Sequence, residues 1–199
     1  GLGIVQFYAG ISVDPNNPER IYGGSQDNGT LKKIGPGKGD WIQILGGDGD
    51  ATAIHPNDSS TIYAEFQRSG NLHRSMNGGN SFTWFSSGIN VNDPNAFICP
   101  LMFAPGTTSL YYATDRIYHN ANGDSNWTEI SGSLAGNPGA AIRGFAIAPS
   151  NSQVFYAGTN DGRILVSTNG GSRWDLRRID VPGWPRNMRQ LAIHPEDHL

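Results

Sequence analysis

One pattern constrains this chain more than any other: a short apolar stretch running into a proline turn recurs along its whole length. Four copies are followed by a full unit, namely Ile11-Ser12-Val13-Asp14-Pro15, Thr52-Ala53-Ile54-His55-Pro56, Leu101-Met102-Phe103-Ala104-Pro105 and Phe145-Ala146-Ile147-Ala148-Pro149. A fifth, Leu191-Ala192-Ile193-His194-Pro195, opens the last nine residues of the sequence. The turn prolines are spaced 41, 49, 44 and 46 residues apart. A tyrosine follows each of the first four by seven residues (Tyr22, Tyr63, Tyr112 and Tyr156) inside a second β-rich stretch. A polar turn, a third stretch and an aromatic complete the unit: Trp41, Phe82, Trp127 and Trp174, at 26, 26, 22 and 25 residues from the proline.

A repeat of this length, built from short strands and tight turns, is the four-stranded blade of a β-propeller. The expected fold is therefore all-β. Four antiparallel blades span approximately 4–45, 49–88, 97–132 and 142–180, and the first strand of a fifth lies in 188–199. Composition agrees, with 27 Gly, 12 Pro and only 16% charged residues, which favours turns and strands over helices. Four blades and one strand would leave large apolar faces open, which soluble proteins rarely tolerate. The remaining blades of a ring of about six to eight are expected from a longer parent chain or from other copies. The chain opens on Gly1 and not on Met, so a leader or upstream portion is expected to have been removed.

The turn before the closing aromatic is the most specific local signal. Ser75-Met76-Asn77-Gly78-Gly79-Asn80-Ser81-Phe82 and Ser167-Thr168-Asn169-Gly170-Gly171-Ser172-Arg173-Trp174 share the pattern S-x-N-x-G-x-x-aromatic. Asn120-Ala121-Asn122-Gly123-Asp124-Ser125-Asn126-Trp127 is a degraded copy, and the first unit keeps only Gly39-Asp40-Trp41. The Asn side chain is suited to capping backbone N–H groups of its own turn, and Gly to supplying a positive φ. Ser75, Asn77, Gly79, Phe82, Asn122, Trp127, Ser167, Asn169, Gly171 and Trp174 are thus read as fold-holding. The pattern closely resembles the Asp-box, or BNR repeat, with Asn replacing the usual Asp. The resemblance covers essentially the whole chain. It extends to sortilin-type domains, photosystem II assembly-factor-like proteins, xyloglucanases and sialidases. Through Tyr22-Gly23-Gly24-Ser25-Gln26-Asp27-Asn28-Gly29-Thr30 and Gly46-Gly47-Asp48-Gly49-Asp50 it also resembles secreted bacterial BNR-repeat proteins. It implies an extracellular or periplasmic location. These families share a fold and differ in activity, so the resemblance implies architecture first.

Several function classes are disfavoured by what is absent. A net charge of −3 gives no basic face for nucleic acid. No apolar stretch approaches the length of a membrane span. Cys99 is the only cysteine, so no intrachain disulfide forms, and its apolar surroundings predict a buried, inert thiol. No G-x-S-x-G elbow and no phosphate-binding Gly-Lys-Ser/Thr loop occurs. His55 and His194 share the repeat position of Asp14, Ala104 and Ala148 beside the turn proline, away from the channel mouth, which argues against catalysis.

Blade topology places the proline turns and the Asp-box turns on one face of the disc. The loops joining strands two to three, and each blade to the next, fall on the opposite face, where ligand sites are expected. That face gathers Asp27, Asp48, Asp50, Arg68, Arg116, Arg143, Asp161 and Trp184 as ligand-binding candidates. Asp48 and Asp50 precede an innermost strand and so lie near the channel entrance. They are suited to carboxylate chemistry or, on a weaker reading, to Ca²⁺, although they match no EF-hand spacing. No other cofactor is expected. Asp27 and Asp161 sit in Asp-Asn-Gly and Asn-Asp-Gly, which hairpin turns favour on their own account. Trp184 between prolines offers a ring for sugar stacking or for packing over the rim.

The expectation from sequence is a non-enzymatic binding or scaffolding propeller that presents this face to a protein, peptide or glycan. The alternatives are a glycoside hydrolase fragment of xyloglucanase type and a structural piece of an extracellular layer. Hydrolysis of a glycoside needs two carboxyl groups across a cleft. The chain has only four Glu, of which Glu65 alone falls in the inner half of a blade.

Overall fold

The computed structural model describes residues 5–177 and 187–197. Among these, sixteen strands form four separate four-stranded sheets. Each sheet is an antiparallel meander in chain order. The first is β1 (Ser12–Asp14), β2 (Asn17–Ser25), β3 (Gly29–Lys33) and β4 (Trp41–Leu45). The second is β5 (Gly49–His55), β6 (Asp58–Phe66), β7 (Leu72–Ser75) and β8 (Thr83–Trp84). The third is β9 (Leu101–Phe103), β10 (Leu110–Ala113), β11 (Ile117–Asn120) and β12 (Thr128–Glu129). The fourth is β13 (Ile142–Ala148), β14 (Asn151–Thr159), β15 (Ile164–Ser167) and β16 (Asp175–Arg177). These are propeller blades, packed face to face in sequence order.

The Asp-boxes hold the turns as their composition requires. Ser75 Oγ accepts from the amides of Asn77 (3.3 Å) and Gly79 (2.9 Å), and Asn77 Oδ1 accepts from the Ser81 amide at 2.9 Å. Ser167 and Asn169 repeat the same bonds to Asn169, Gly171 and Arg173. Gly79 and Gly171 have φ of +90° and +89°, a conformation that a Cβ would strain. In the degraded third copy Asn122 is exposed. The holding falls instead to Asn120, whose Oδ1 accepts from the Gly123 amide at 2.8 Å. The closing aromatics differ in burial: Trp127 is buried, whereas Trp41, Phe82 and Trp174 are half-buried. Trp127 Nε1 donates to the Phe85 carbonyl of the preceding blade at 2.7 Å.

The fixed tyrosine spacing holds in three blades and slips in the third. Tyr22 pairs with Ser12, Tyr63 with Ala53 and Tyr156 with Ala146, each opposite the residue three before the turn proline. In blade three that partner, Met102, pairs with Tyr111 and not with Tyr112. The cause is the turn. The other three hairpins carry a register shift before the proline (Val13/Asp14, Ile54/His55 and Ile147/Ala148), and the β9–β10 pair carries none. A one-residue slip moves a side chain to the other face of its sheet. Tyr111 therefore packs forward on Phe145 and Phe155 of blade four, and Tyr112 points back into blade two.

The fifth repeat, Leu191–Pro195, has no sheet pairing. It lies along blade four, where Leu191 backs onto Gly144 and Gly158, as an innermost strand of a following blade would. The proline-turn histidines do what Asp14 does: His55 Nδ1 accepts from the Asn57 amide and His194 Nδ1 from those of Glu196 and Asp197.

Candidate functional site

The innermost strands converge on a central cavity of about 490 Å³. Its lining includes Ala51, Cys99, Leu101, Arg143, Phe145 and Arg189, contributed by blades two to four and the fifth repeat. Of the residues six before each turn proline, Ala9, Cys99, Arg143 and Arg189 line this cavity, and Asp50 does not.

At blade two the chain there breaks the pattern. The β5–β6 ladder shifts register between Gly49 and Thr52, and Asp50 is fully buried. Gly24 of blade one lies against this backbone so closely that a Cβ would sit 2.0 Å from the Asp50 carbonyl oxygen, so only glycine fits. Neither carboxyl oxygen of Asp50 has a hydrogen-bond partner. Burial, and secondarily the neighbouring Asp48, push its pKa up to about 8. Asp48 is half-exposed beside it. Asp48 Oδ1 accepts from the Asp27 amide at 2.7 Å, and its own amide donates to Gln67 Oε1 at 2.9 Å. Asp27 holds φ of +60° in the β2–β3 turn, where Asp tolerates that backbone. The three aspartates and Tyr8 share one rim. Burial and then the charges of Asp48, Asp50 and Asp27 raise the Tyr8 phenol, whose ring meets Phe97 edge-on at 5.7 Å.

Behind this rim lies a residue whose role the sequence did not signal on its own. Glu65 is fully buried between blades two and three. The Tyr112 hydroxyl donates to its Oε1, while Oε2 has no partner. Burial holds Glu65 well above the usual carboxylate range, against the lowering effect of the Tyr112 bond, and Asp50 adds to the rise. The thiol of Cys99 adjoins, donating to the Ala96 carbonyl, and burial raises it too. The strand pairing sets Glu65 two residues beyond the forward-facing tyrosine, where the other blades have Gly24, Ala113 and Gly158. A carboxyl at a position where the repeat needs only Gly or Ala is not explained by packing. Aligning the repeats by their strand pairing is the signal that finds it.

Asp161 and Arg116 are tied into the scaffold. Asp161 Oδ2 accepts from the amides of Gly136 (2.9 Å) and Asn137 (3.0 Å), pinning the loop between blades three and four. Arg116 is ion-paired to Asp93 (3.3 Å) and Glu129 (3.0 Å), and buried Asp93 also takes bonds from Asn90, Thr114 and Tyr118. Arg143 lines the channel and donates to Asn187 at 3.4 Å. Arg68 is exposed in the β6–β7 turn with φ of +79°. Trp184 lies outside the described residues. Among the described residues no group of three or more His, Cys, Asp or Glu is placed to hold a metal ion, Asp48 and Asp50 included. No helix among them is long and apolar enough to cross a membrane.

Among solved structures, the GH74 xyloglucanase from Xanthomonas campestris matches with a TM-score of 0.73 at 18% identity, over 96% of this chain and 34% of that one. An ancestral GH74 enzyme matches at 0.71 and 20%, over 98% and 27%. The GH74 enzyme of Niastella koreensis matches at 0.66 and 22%, over 83% and 28%. The fold is that of a β-propeller. The chain spans about a third or less of the length of each of these proteins. No protein-family model matches the sequence, and no curated protein does.

Proposed function

We propose that this chain is part of a propeller glycoside hydrolase, acting on a polysaccharide of the xyloglucan class, and that the rim of blades one and two carries its carboxyl chemistry. The observation that carries the reading is Asp50: a buried acid without hydrogen-bond partners, held protonated near neutral pH, beside the Asp48 carboxylate. Glycoside hydrolysis needs such a division of labour, one carboxyl keeping its proton to donate and one ionised. The bond it accepts from the Asp27 amide holds the Asp48 carboxyl in place, and Tyr8 and Phe97 flank the rim. The GH74 neighbours support the reading through their shared fold. Secretion accords with a polymeric substrate outside the cell. Further blades, from the same chain or from another copy, would cover Ile11 and Val13, which are 50% and 52% exposed on blade one.

A second reading has its own support. Neither Asp50 nor Glu65 reaches the surface, which favours a mouth that binds glycan without cleaving it. Reducing-end release from xyloglucan decides between them. Asp50→Asn and Asp48→Asn should each lower kcat by at least about a hundredfold. Xyloglucan binding without any release by the unmodified protein would establish the binder in place of the hydrolase.

A further inference from the structure

We infer that blade two carries a sugar-stacking platform, formed by Phe66, His73 and Trp84, that extends the rim site outward over the disc. This inference rests on the glycan reading above. Trp84 is 64% exposed. Exposed aromatics on the first or fourth blade are explained by neighbours those blades lack here. Blade two has both neighbours in place, so that explanation fails for Trp84. The repeat does not explain it either. Strand pairing makes Trp84 equivalent to Gln43, Glu129 and Leu176, through their partners Leu31, His73, Tyr118 and Leu165. This column faces the preceding blade, and in the two other blades that have one the position holds polar Glu129 and aliphatic Leu176, so only blade two sets an aromatic there.

The ring is held in place and not merely exposed. Its centroid lies 4.3 Å from that of buried His73, at 38° between planes, and His73 stacks on Phe66 at 5.2 Å and 28°. Burial lowers the His73 pKa, so the imidazole beneath the indole stays neutral. One face of the indole is thus supported and the other left open. A pyranose ring presents a face of C–H groups flanked by equatorial hydroxyls, and fits such a flat apolar surface with polar groups nearby. The platform also connects with the carboxyl rim. Phe66 backs onto Gly47, and Gln67 bridges to Asp48 through reciprocal bonds of 2.9 and 3.1 Å. The stack thus ties the exposed Trp84 ring to the Gly47–Asp48 rim, so that a glycan lying on the indole continues towards the carboxyls.

The test uses native affinity electrophoresis in gels cast with xyloglucan, with every protein carrying Asp50→Asn so that hydrolysis does not consume the probe. The expected result is retardation of the parent variant, a loss of about tenfold or more in affinity for Trp84→Ala, and affinity within about threefold of the parent for Trp84→Phe. Thermal midpoints should be unchanged, since the side chain is largely exposed. Undiminished retardation of Trp84→Ala overturns the platform even if the unmodified enzyme cleaves xyloglucan. Binding that depends on Trp84 without cleavage by the unmodified protein supports the platform and overturns the hydrolase instead. Absence of any retardation overturns both.

Discussion

Two junctions between blades, built from the same repeat, are made of different material. Blades three and four meet through an apolar cluster that includes Tyr111, Phe145, Ile147 and Phe155. Its rings stand edge to face, with Tyr111–Phe155 at 5.2 Å and 75° and Phe145–Phe155 at 5.8 Å and 80°. Blades two and three also share an apolar cluster, around Tyr63, Phe85, Leu101 and Trp127. Into it, however, are set Glu65, Cys99 and the Tyr112 hydroxyl, with Asp93 and Tyr118 at its rim. The difference traces to one residue. The third hairpin lacks the register shift of the others, and the slip hands the apolar junction Tyr111 and the polar junction Tyr112. The first junction is what stability alone selects. The second buries an acid whose protonated form that environment favours.

The comparison can be broken at its apolar side first. Phe155→Ala empties a fully buried ring position and should cost about 3–5 kcal/mol in urea unfolding. A cost below about 1 kcal/mol would mean that the blades are held mainly by their Asp-box turns.

At the polar junction and the adjoining rim the largest signature is in pH. Burial pushes the Asp50 pKa up to about 8 from an ordinary 3.8, and shifts Glu65 in the same direction. Between these limits the folded state binds more protons than the unfolded one. Stability is therefore fully present below about pH 4 and falls as pH rises towards about 8, by up to about 1.4 kcal/mol per pH unit from Asp50, with Glu65 acting in the same direction. The double variant Asp50→Asn/Glu65→Gln should flatten this slope in unfolding curves taken across the range. An unchanged slope would remove these acids from the explanation.

Tyr112→Phe leaves Glu65 buried without its donor and should cost about 1–3 kcal/mol. The double change Glu65→Leu/Tyr112→Phe removes both partners and should recover that loss or exceed the parent. A double variant as unstable as the single would show that the pair supports the fold. Smaller still is the contrast within the Asp-boxes. Ser75→Ala loses two accepted amide bonds and should cost about 1 kcal/mol, whereas Asn122→Ala, at an exposed turn position, should change stability by less than about 0.5 kcal/mol.

What the sequence made legible follows from what the repeat enforces. Proline turns, Asp-box serines and the period are written in residue types that a turn demands, so the blades and their order could be read directly. The slip at Tyr112 could not, because counting from a proline does not register whether the hairpin contains a bulge. Asp48 and Asp50 stood out by their place before an innermost strand. That Asp50 turns inward depends on the close approach of Gly24, a contact between blades. Glu65 and Trp84 are each one letter that breaks a column of the repeat, visible only once strand pairing has aligned the columns. Arg116 and Asp161 had the right loops, but their partners Asp93 and Gly136 come from elsewhere in the chain.

The most direct test of the polar junction is a ¹³C NMR titration of the Asp and Glu side-chain carboxyls, with Asp50→Asn and Glu65→Gln assigning the two resonances. The expected result is that both remain protonated through neutral pH while the exposed carboxyls ionise below about pH 5. Ionisation of Asp50 and Glu65 together with the others, below about pH 5, would contradict the account of both as acids kept neutral by burial.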